Sequence, residues 1–309
     1  MTMITYYFRT IKDEVLKVVP EARTGIWVYA EAPTGEEIEK LVSEFSLDQD
    51  IIDDAADFYE VPRFERSQGA TYFFTRYPYK ETTEDSETAP LLIVMGESFV
   101  LTFALRDIPA FKKVIDGTMP VVTTQKAKLF IQMMDMVTSA YDTELMRLRK
   151  AVQKDRARLR KIGPREIERL VGYETKLNNM VDALVPTNVW LQQVPKGNYM
   201  QLYNEDINMM EDLVIANNQV VDQARSILKT IQNIRGSIEA IMSSRLNKNL
   251  SILTVITILL TIPMVIASLF GMNISLPFQD SPYAFAGVIG ANVLILAVLT
   301  FVFNRKNWL

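Results

Sequence analysis

Two long uncharged segments near the C-terminus constrain the fold of this chain more than any other feature. No Asp, Glu, Lys or Arg occurs in residues 249–279, and none occurs in residues 281–304. Residues 250–270 and 283–303 each supply about the 20 residues that a helix needs to cross a ~30 Å hydrocarbon core. A buried helix of a soluble protein could explain one such segment, but two in succession favour a pair of transmembrane helices.

The charges beside these segments predict their orientation. Arg245 and Lys248 precede the first segment, and a basic tail, residues 304–309, follows the second. Short flanks rich in Lys and Arg stay on the cytoplasmic side of a membrane. We therefore expect a multi-pass protein of the cell (inner or plasma) membrane, with both termini cytoplasmic and the loop 271–282 outside.

The composition restricts the chemistry. The 309 residues include no histidine and no cysteine, and the net charge is −4. Disulfides, thiol or imidazole catalysis and nearly all zinc or iron sites are thereby excluded. A divalent metal would need oxygen ligands, which suit Mg²⁺. The acidic balance argues against a nucleic-acid partner, and no GxxxxGK[ST] phosphate loop is present. We expect no enzyme activity, no organic cofactor and no coupling to ATP.

Residues 1–118 alternate strand and helix patterns, which predict an α/β domain. A helix is expected over residues 33–45, because Thr34 and Glu37 form a capping-box pattern. The acidic stretch 80–90 is predicted to be a solvated loop. The predicted strands are residues 25–33, 70–79, 91–95 and 97–105.

Residues 119–249 are predicted to be helical, with a break at Gly163–Pro164. Apolar residues then follow one another at steps of three and four, as in a helix packed along its length on other helices. No proline occurs between about residue 198 and Pro263, so one helix of about 70 residues, ~105 Å long, is expected to enter the membrane. The apolar positions are Val220, Ala224, Ile227, Ile231, Ile234, Ile238 and Ile241.

A second stripe with the same spacing carries small and polar residues through the first uncharged segment. It includes Asn247, Leu250, Thr254, Thr257, Thr261, Met264, Ser268 and Gly271. Small and hydroxylated residues line close helix–helix contacts in membranes, but they also line water-filled pores. Two helices cannot enclose a pore, so the second interpretation requires an oligomer. The second segment has no such stripe and is expected to face lipid.

The stripe ends at Gly271, Met272 and Asn273, where the chain is expected to leave the membrane. Glycine allows the backbone to turn, and asparagine offers a neutral amide oxygen. Repeated around an axis, these residues would form a ring of uncharged oxygens. Mg²⁺ gives up its water reluctantly, so such a ring suits hydrogen bonding to the hydrated ion.

Phe-Gly-Met-Asn at 270–273, together with a basic tail ending in Trp308-Leu309, resembles the CorA family of magnesium and cobalt transporters. The resemblance extends to residues 245–254, 33–37 and 45–54. It implies a funnel-shaped homopentamer with an α/β cytoplasmic domain, a helical stalk, a pore-lining helix and an outer helix. It also implies passive uptake of hydrated divalent cations, chiefly Mg²⁺ with Co²⁺ and Ni²⁺ as further candidates, driven by the membrane potential.

The resemblance also assigns roles to residues. Gly271, Met272 and Asn273 correspond to the outer selectivity element, and Asp54 and Asp212, with Asp53 beside the first, to a regulatory Mg²⁺ site between subunits. The inner neck, where apolar side chains gate by excluding water, corresponds to Asn247, Leu250, Leu253 and Thr254.

Two alternative functions follow from the same segments. One is a related zinc transporter with a different mouth motif, and the intact Gly-Met-Asn argues against it. The other is a signalling or enzymatic domain anchored in the membrane by a helical hairpin, and the lack of His and Cys argues against that.

Overall fold

The computed structural model describes residues 4–80, 86–157, 163–197, 199–272, 282–306 and 308. It divides into two compact units, Met1–Asn233 and Ile234–Leu309. The sequence predicts boundaries of another kind, between cytoplasmic, membrane and loop segments. These boundaries stay predictions.

A mixed sheet of seven described strands lies at the centre of the first unit. The strands are β1 Ile4–Phe8, β2 Lys17–Val19, β3 Ile26–Glu31, β4 Phe64–Ser67, β5 Ala70–Lys80, β6 Ser86–Met95 and β7 Phe99–Ala104. Their order is β2-β1-β3-β7-β6-β5-β4. The central β3 and β7 run parallel, and the pairs on either side are antiparallel.

Helices cover both faces of this sheet, which explains why its central strands are apolar on both sides. Along β5, Tyr72 and Phe74 belong to the core beneath α1 (Gly35–Phe45) and α2 (Gln49–Ala55). Phe73, which points to the opposite face, lies 4.7 Å from the Phe130 ring and 5.2 Å from the Trp190 ring, centroid to centroid. The helices of that face are α3 Pro109–Ile115, α4 Lys126–Arg156 and α5 Pro164–Leu191.

Several local predictions are confirmed. The four predicted strands appear as β3, β5, β6 and β7. Thr34 caps α1 in a capping box with Glu37, and Gly163 with Pro164 begins α5.

The solvated loop predicted over residues 80–90 is wrong in its second half. β6 already begins at Ser86, and Thr88 is buried. Arg76 of β5 donates from Nε to Thr88 Oγ1 over 2.9 Å and from Nη2 to the Thr88 carbonyl over 2.7 Å. Pairing with β5 therefore overrides the acidic local composition, while residues 81–85 lie outside the described part of the chain.

The long helix predicted into the membrane segment is confirmed. It forms α6, Asn204–Phe270, with 67 residues and Pro263 inside it, and it is about 100 Å long at 1.5 Å per residue. The last helix is α7, Ala284–Arg305. The predicted apolar positions Val220, Ala224, Ile227 and Ile231 are buried, and so are Ile234 and Ile238.

Buried amides fix α6 against α5 within the first unit. Asn188 Nδ2 of α5 donates to Asn218 Oδ1 over 2.6 Å, and Asn217 Nδ2 of α6 donates to the Leu184 carbonyl over 3.2 Å. Because a hydrogen bond in a buried interface is costly to leave unmade, these reciprocal contacts define one register between the helices.

Candidate pore helix and cytoplasmic metal site

Two helices of the described chain, α6 and α7, are long and apolar enough to cross a membrane. α7 contains no buried residue over Ala284–Arg305, all of which the structure describes. Such a continuous apolar surface is not stable in water, so lipid or further protein must cover it.

Each of the two helices has a half-buried seam in the second unit. On α7 it runs at steps of three and four, and on α6 it centres on Val255, which is fully buried. The Ser251 hydroxyl donates to the Trp308 carbonyl over 3.3 Å, and the Trp308 ring stacks on Phe303 at 5.8 Å. The end of α7 therefore lies beside the start of the apolar half of α6. The α7 positions are Ala284, Val288, Asn292, Leu296, Leu299 and Phe303.

The predicted polar stripe lies on the other side of α6. Thr254, Thr257 and Thr261 are about 100° to 160° around the helix from Val255 at 3.6 residues per turn, and all three are exposed. The remaining predicted pore and mouth residues are exposed as well, and Asn273 lies outside the described residues. The exposed positions are Asn247, Leu250, Leu253, Met264, Ser268, Gly271 and Met272.

The three threonine hydroxyls use their hydrogens within the helix. Thr254 donates to the Leu250 carbonyl over 2.8 Å, Thr257 to the Leu253 carbonyl over 2.9 Å, and Thr261 to the Thr257 carbonyl over 2.7 Å. A hydroxyl has one donor and two acceptor lone pairs. The stripe therefore presents acceptors, which can bind a cation or the hydrogens of its water.

Asp53 and Asp54 lie on the exposed side of α2. Asp48 caps this helix by accepting the amide of Asp50 over 3.1 Å, and its own amide donates to the Tyr72 hydroxyl over 2.9 Å. Burial raises the pKa of the Tyr72 phenol, so the phenol stays neutral at this contact. The buried face of α2 holds Ile51 and Ile52. Packing on the sheet thus fixes which carboxylates point outward.

Arg63 already pairs with Asp54 inside one chain. Arg63 Nη2 lies 2.7 Å from Asp54 Oδ2, and Nε lies 2.5 Å from Glu65 Oε1. Nη1 pairs with Glu60. The guanidinium carbon stands 4.2 Å above the centroid of the Phe74 ring. Sequence reasoning missed this arginine, because its position depends on the sheet beneath it.

The side chain of Arg76 binds main-chain carbonyls of the segment between α2 and β4. Its Nη1 donates to the Phe58 carbonyl over 3.0 Å and to the Glu60 carbonyl over 2.7 Å. The same side chain bonds Thr88 on the neighbouring strand. The fork geometry of one arginine therefore ties this loop to the sheet.

The remaining predicted ligand, Asp212, is exposed on α6, and Asp53 accepts a hydrogen bond from Gln49 Nε2 over 2.7 Å. In the described ranges of one chain, no group of three or more acidic residues is placed to hold a metal ion. The three predicted aspartates therefore do not form a complete metal site by themselves.

Known proteins resemble this chain along nearly its whole length. The family model described as CorA-like Mg²⁺ transporter protein matches residues 23–305. The cobalt/magnesium transport protein CorA of Methanocaldococcus jannaschii is 25% identical over 294 residues, which cover 92% of this chain and 91% of that protein.

Solved structures show the same fold. The complete structure of the CorA magnesium transporter from Methanocaldococcus jannaschii aligns with a TM-score of 0.89 at 21% identity, covering 100% of this chain and 99% of that one. The ZntB cytoplasmic domain from Vibrio parahaemolyticus aligns with a TM-score of 0.64 at 9% identity, covering 79% of this chain and 100% of that one.

We predict that Arg76→Lys destabilises the first unit. Lysine keeps the charge but cannot reach two loop carbonyls and Thr88 together, so the free energy of unfolding should fall by about 2 kcal/mol. Thermal unfolding of the detergent-solubilised chain measures this as a lower Tm. Arg66→Lys, at an exposed arginine of β4, is the matched control and should leave the Tm unchanged. Equal Tm values for both variants would contradict the role given to Arg76.

Proposed function

The chain belongs to the family of CorA-like Mg²⁺ transporter proteins, and on that premise we propose that it is a passive, oligomeric membrane channel for hydrated divalent cations, chiefly Mg²⁺. The observation that carries the proposal is the stripe of exposed acceptor oxygens on α6, on the side away from the α7 seam. The membrane potential supplies the driving force, since a dication crossing 100 mV gains roughly 4.6 kcal/mol.

A homopentamer is the assembly we propose. Two helices cannot enclose a pore, so several copies must bring their stripes around one axis, and the family resemblance indicates five. In that arrangement α6 lines the path, α7 faces the bilayer, and both termini lie in the cytoplasm, as the basic flanks favour. The exposed apolar side chains of α7 then meet lipid.

The path would have a different chemistry at each end. Leu250 and Leu253, both exposed, are placed to form an apolar neck that gates by excluding water. Gly271, Met272 and Asn273 would form the outer mouth. The threonines between them offer neutral oxygen atoms, which suit an ion that keeps its hydration shell.

Regulation would use the aspartates of the cytoplasmic part. We infer that Asp54, with Asp53 beside it, approaches Asp212 of a neighbouring copy, where a Mg²⁺ ion joins them. Two carboxylates 4 Å apart repel by about 4 kcal/mol at an effective dielectric constant near 20. Bound Mg²⁺ would remove that repulsion and favour the closed state, and the ion biases gating only if its site separates on opening.

A zinc transporter is the second candidate. The likeness to a ZntB cytoplasmic domain means that the fold of this part does not discriminate between the two cations. The ligand chemistry does favour Mg²⁺, because the chain offers neither imidazole nor thiolate.

We predict that Thr257→Val lowers Mg²⁺ uptake into proteoliposomes. Valine has nearly the shape of threonine but lacks the oxygen, and the loss of about 1 kcal/mol per contact should reduce uptake roughly fivefold or more. Thr300→Val is the matched control, because Thr300 is an exposed α7 threonine whose hydroxyl donates to the Leu296 carbonyl over 2.8 Å. Equal uptake by the two variants would show that the stripe is a packing surface. Co²⁺ and Zn²⁺ serve as competitors that rank the cations.

We predict that Asn273→Ala reduces uptake to less than about a tenth while the oligomer still forms. The substitution removes an amide oxygen from every subunit at the mouth, so the effect is repeated around the ring. Mass measurement of the solubilised complex checks assembly, and uptake checks function. Normal Mg²⁺ uptake by this variant would show that transport does not need the Asn273 amide.

We predict that Asp54→Ala combined with Asp212→Ala preserves conduction but weakens inhibition by internal Mg²⁺. Currents from membrane patches at rising internal Mg²⁺ give the inhibition curve. Asp50→Ala with Asp222→Ala removes two exposed carboxylates from the same two helices and should leave that curve unchanged. An unaltered curve in the first double variant would exclude the sensor.

A further inference from the structure

Arg63 pairs with three carboxylates. It pairs with Asp54 at the end of α2, with Glu60 in the following loop and with Glu65 on β4. Each nitrogen of the guanidinium is used by a different carboxylate. Asp54 is therefore already paired within one chain, before any metal or second chain approaches, although it shares the single charge of Arg63 with two other carboxylates.

The Phe74 ring packs against the Arg63 guanidinium, and a main-chain hydrogen bond joins the same two residues. The guanidinium carbon lies 4.2 Å from the centroid of Phe74, and Phe74 is 2% exposed. The Arg63 carbonyl accepts the Phe74 amide over 2.8 Å. Stacking on an aromatic face and a fork of hydrogen bonds both restrict an arginine. Moving the Arg63 side chain away from Asp54 would disturb its stacking on Phe74 and its pairs with Glu60 and Glu65, while the main-chain hydrogen bond would stay.

Asp54 nevertheless remains open to solvent on its other side. Its side chain is 54% exposed, against 28% for Arg63. An incoming Mg²⁺ can reach the carboxylate but meets the positive charge of Arg63 behind it. Like charges at this separation repel even in a partly solvated site, so the arginine lowers the affinity of Asp54 for any cation.

We propose that Arg63 competes with Mg²⁺ for Asp54 and thereby sets the internal Mg²⁺ concentration at which the channel closes. This proposal rests on the regulatory part of the proposed function. A monovalent cation gains too little from a carboxylate that is already paired, whereas a dication still gains from it. The arginine thus keeps the sensor empty until Mg²⁺ is abundant, and it favours divalent over monovalent ions.

The test measures half-inhibition by internal Mg²⁺ in patches containing the full-length chain. Arg63→Met keeps an apolar stem over Phe74 and removes the charge, so half-inhibition should shift to about three- to tenfold lower Mg²⁺. Arg66→Met makes the same substitution at an exposed arginine three positions further along, in β4, and should leave half-inhibition unchanged.

Two further variants separate competition from a structural role. In an Asp54→Asn background, Arg63→Met should no longer shift half-inhibition, because the carboxylate for which it competes is absent. Glu65→Gln removes the charge of one of the other partners of Arg63. More of the positive charge of Arg63 is then available to Asp54. Half-inhibition should then move in the opposite direction, to higher Mg²⁺, and this variant keeps the proposal testable if Arg63→Met does not fold.

The outcomes distinguish a failure of this proposal from a failure of the proposed Mg²⁺ sensor on which it rests. A wild-type channel that conducts but is not inhibited by internal Mg²⁺ would overturn the sensor itself, and the role of Arg63 with it. A wild-type channel that is inhibited, with the same curve for Arg63→Met, would overturn the role of Arg63 alone. A shift that persists in the Asp54→Asn background would do so too, since it would mark a general structural effect.

Discussion

The constraint on which the rest of the structure depends is that a helix in hydrocarbon must satisfy its own polar groups. α6 is continuous over 67 residues, and in its apolar half the hydroxyls of Thr254, Thr257 and Thr261 donate to carbonyls one turn back in the same helix. Pro263 has no amide hydrogen to donate, yet the helix continues through it. Because hydrogen bonds within a helix need no outside partner, one continuous element can carry both a packed half and an apolar half.

A second constraint is chemical. With no histidine or cysteine in the sequence, we expect the contacts to a divalent cation to use oxygen, and around α2 the carboxylates are paired with arginine. Arg76 ties the loop after α2 to the sheet through main-chain carbonyls, and Arg63 pairs with one acidic side chain each from α2, that loop and β4. The same residue type therefore positions Asp54 and moderates its charge.

Periodic features were predictable from the sequence, because they follow from spacing alone. The apolar steps from Val220 to Ile231 predicted α6, and Thr34 with Glu37 predicted the start of α1. The loop over 80–90 was mispredicted because the strand formed by Thr88 and its neighbours depends on Arg76 across the sheet. The pairing of Arg63 with Asp54 was missed for the same reason. It requires knowing that β4 returns beside α2 above Phe74.

The stripe on α6 allowed two interpretations from the sequence, and a water-filled path is the one that we propose. The hydroxyl hydrogens of Thr254, Thr257 and Thr261 are used within α6, so these groups offer only acceptor oxygens to a partner, although close packing of small side chains needs no such hydrogen bond. Two such stripes facing each other would bring acceptor against acceptor. The α7 seam occupies the side of Val255, so it does not cover the stripe either. The partner that these oxygens lack is a donor or a positive charge. Water carried by a hydrated cation supplies both, and this is the partner that the proposed function gives to the stripe.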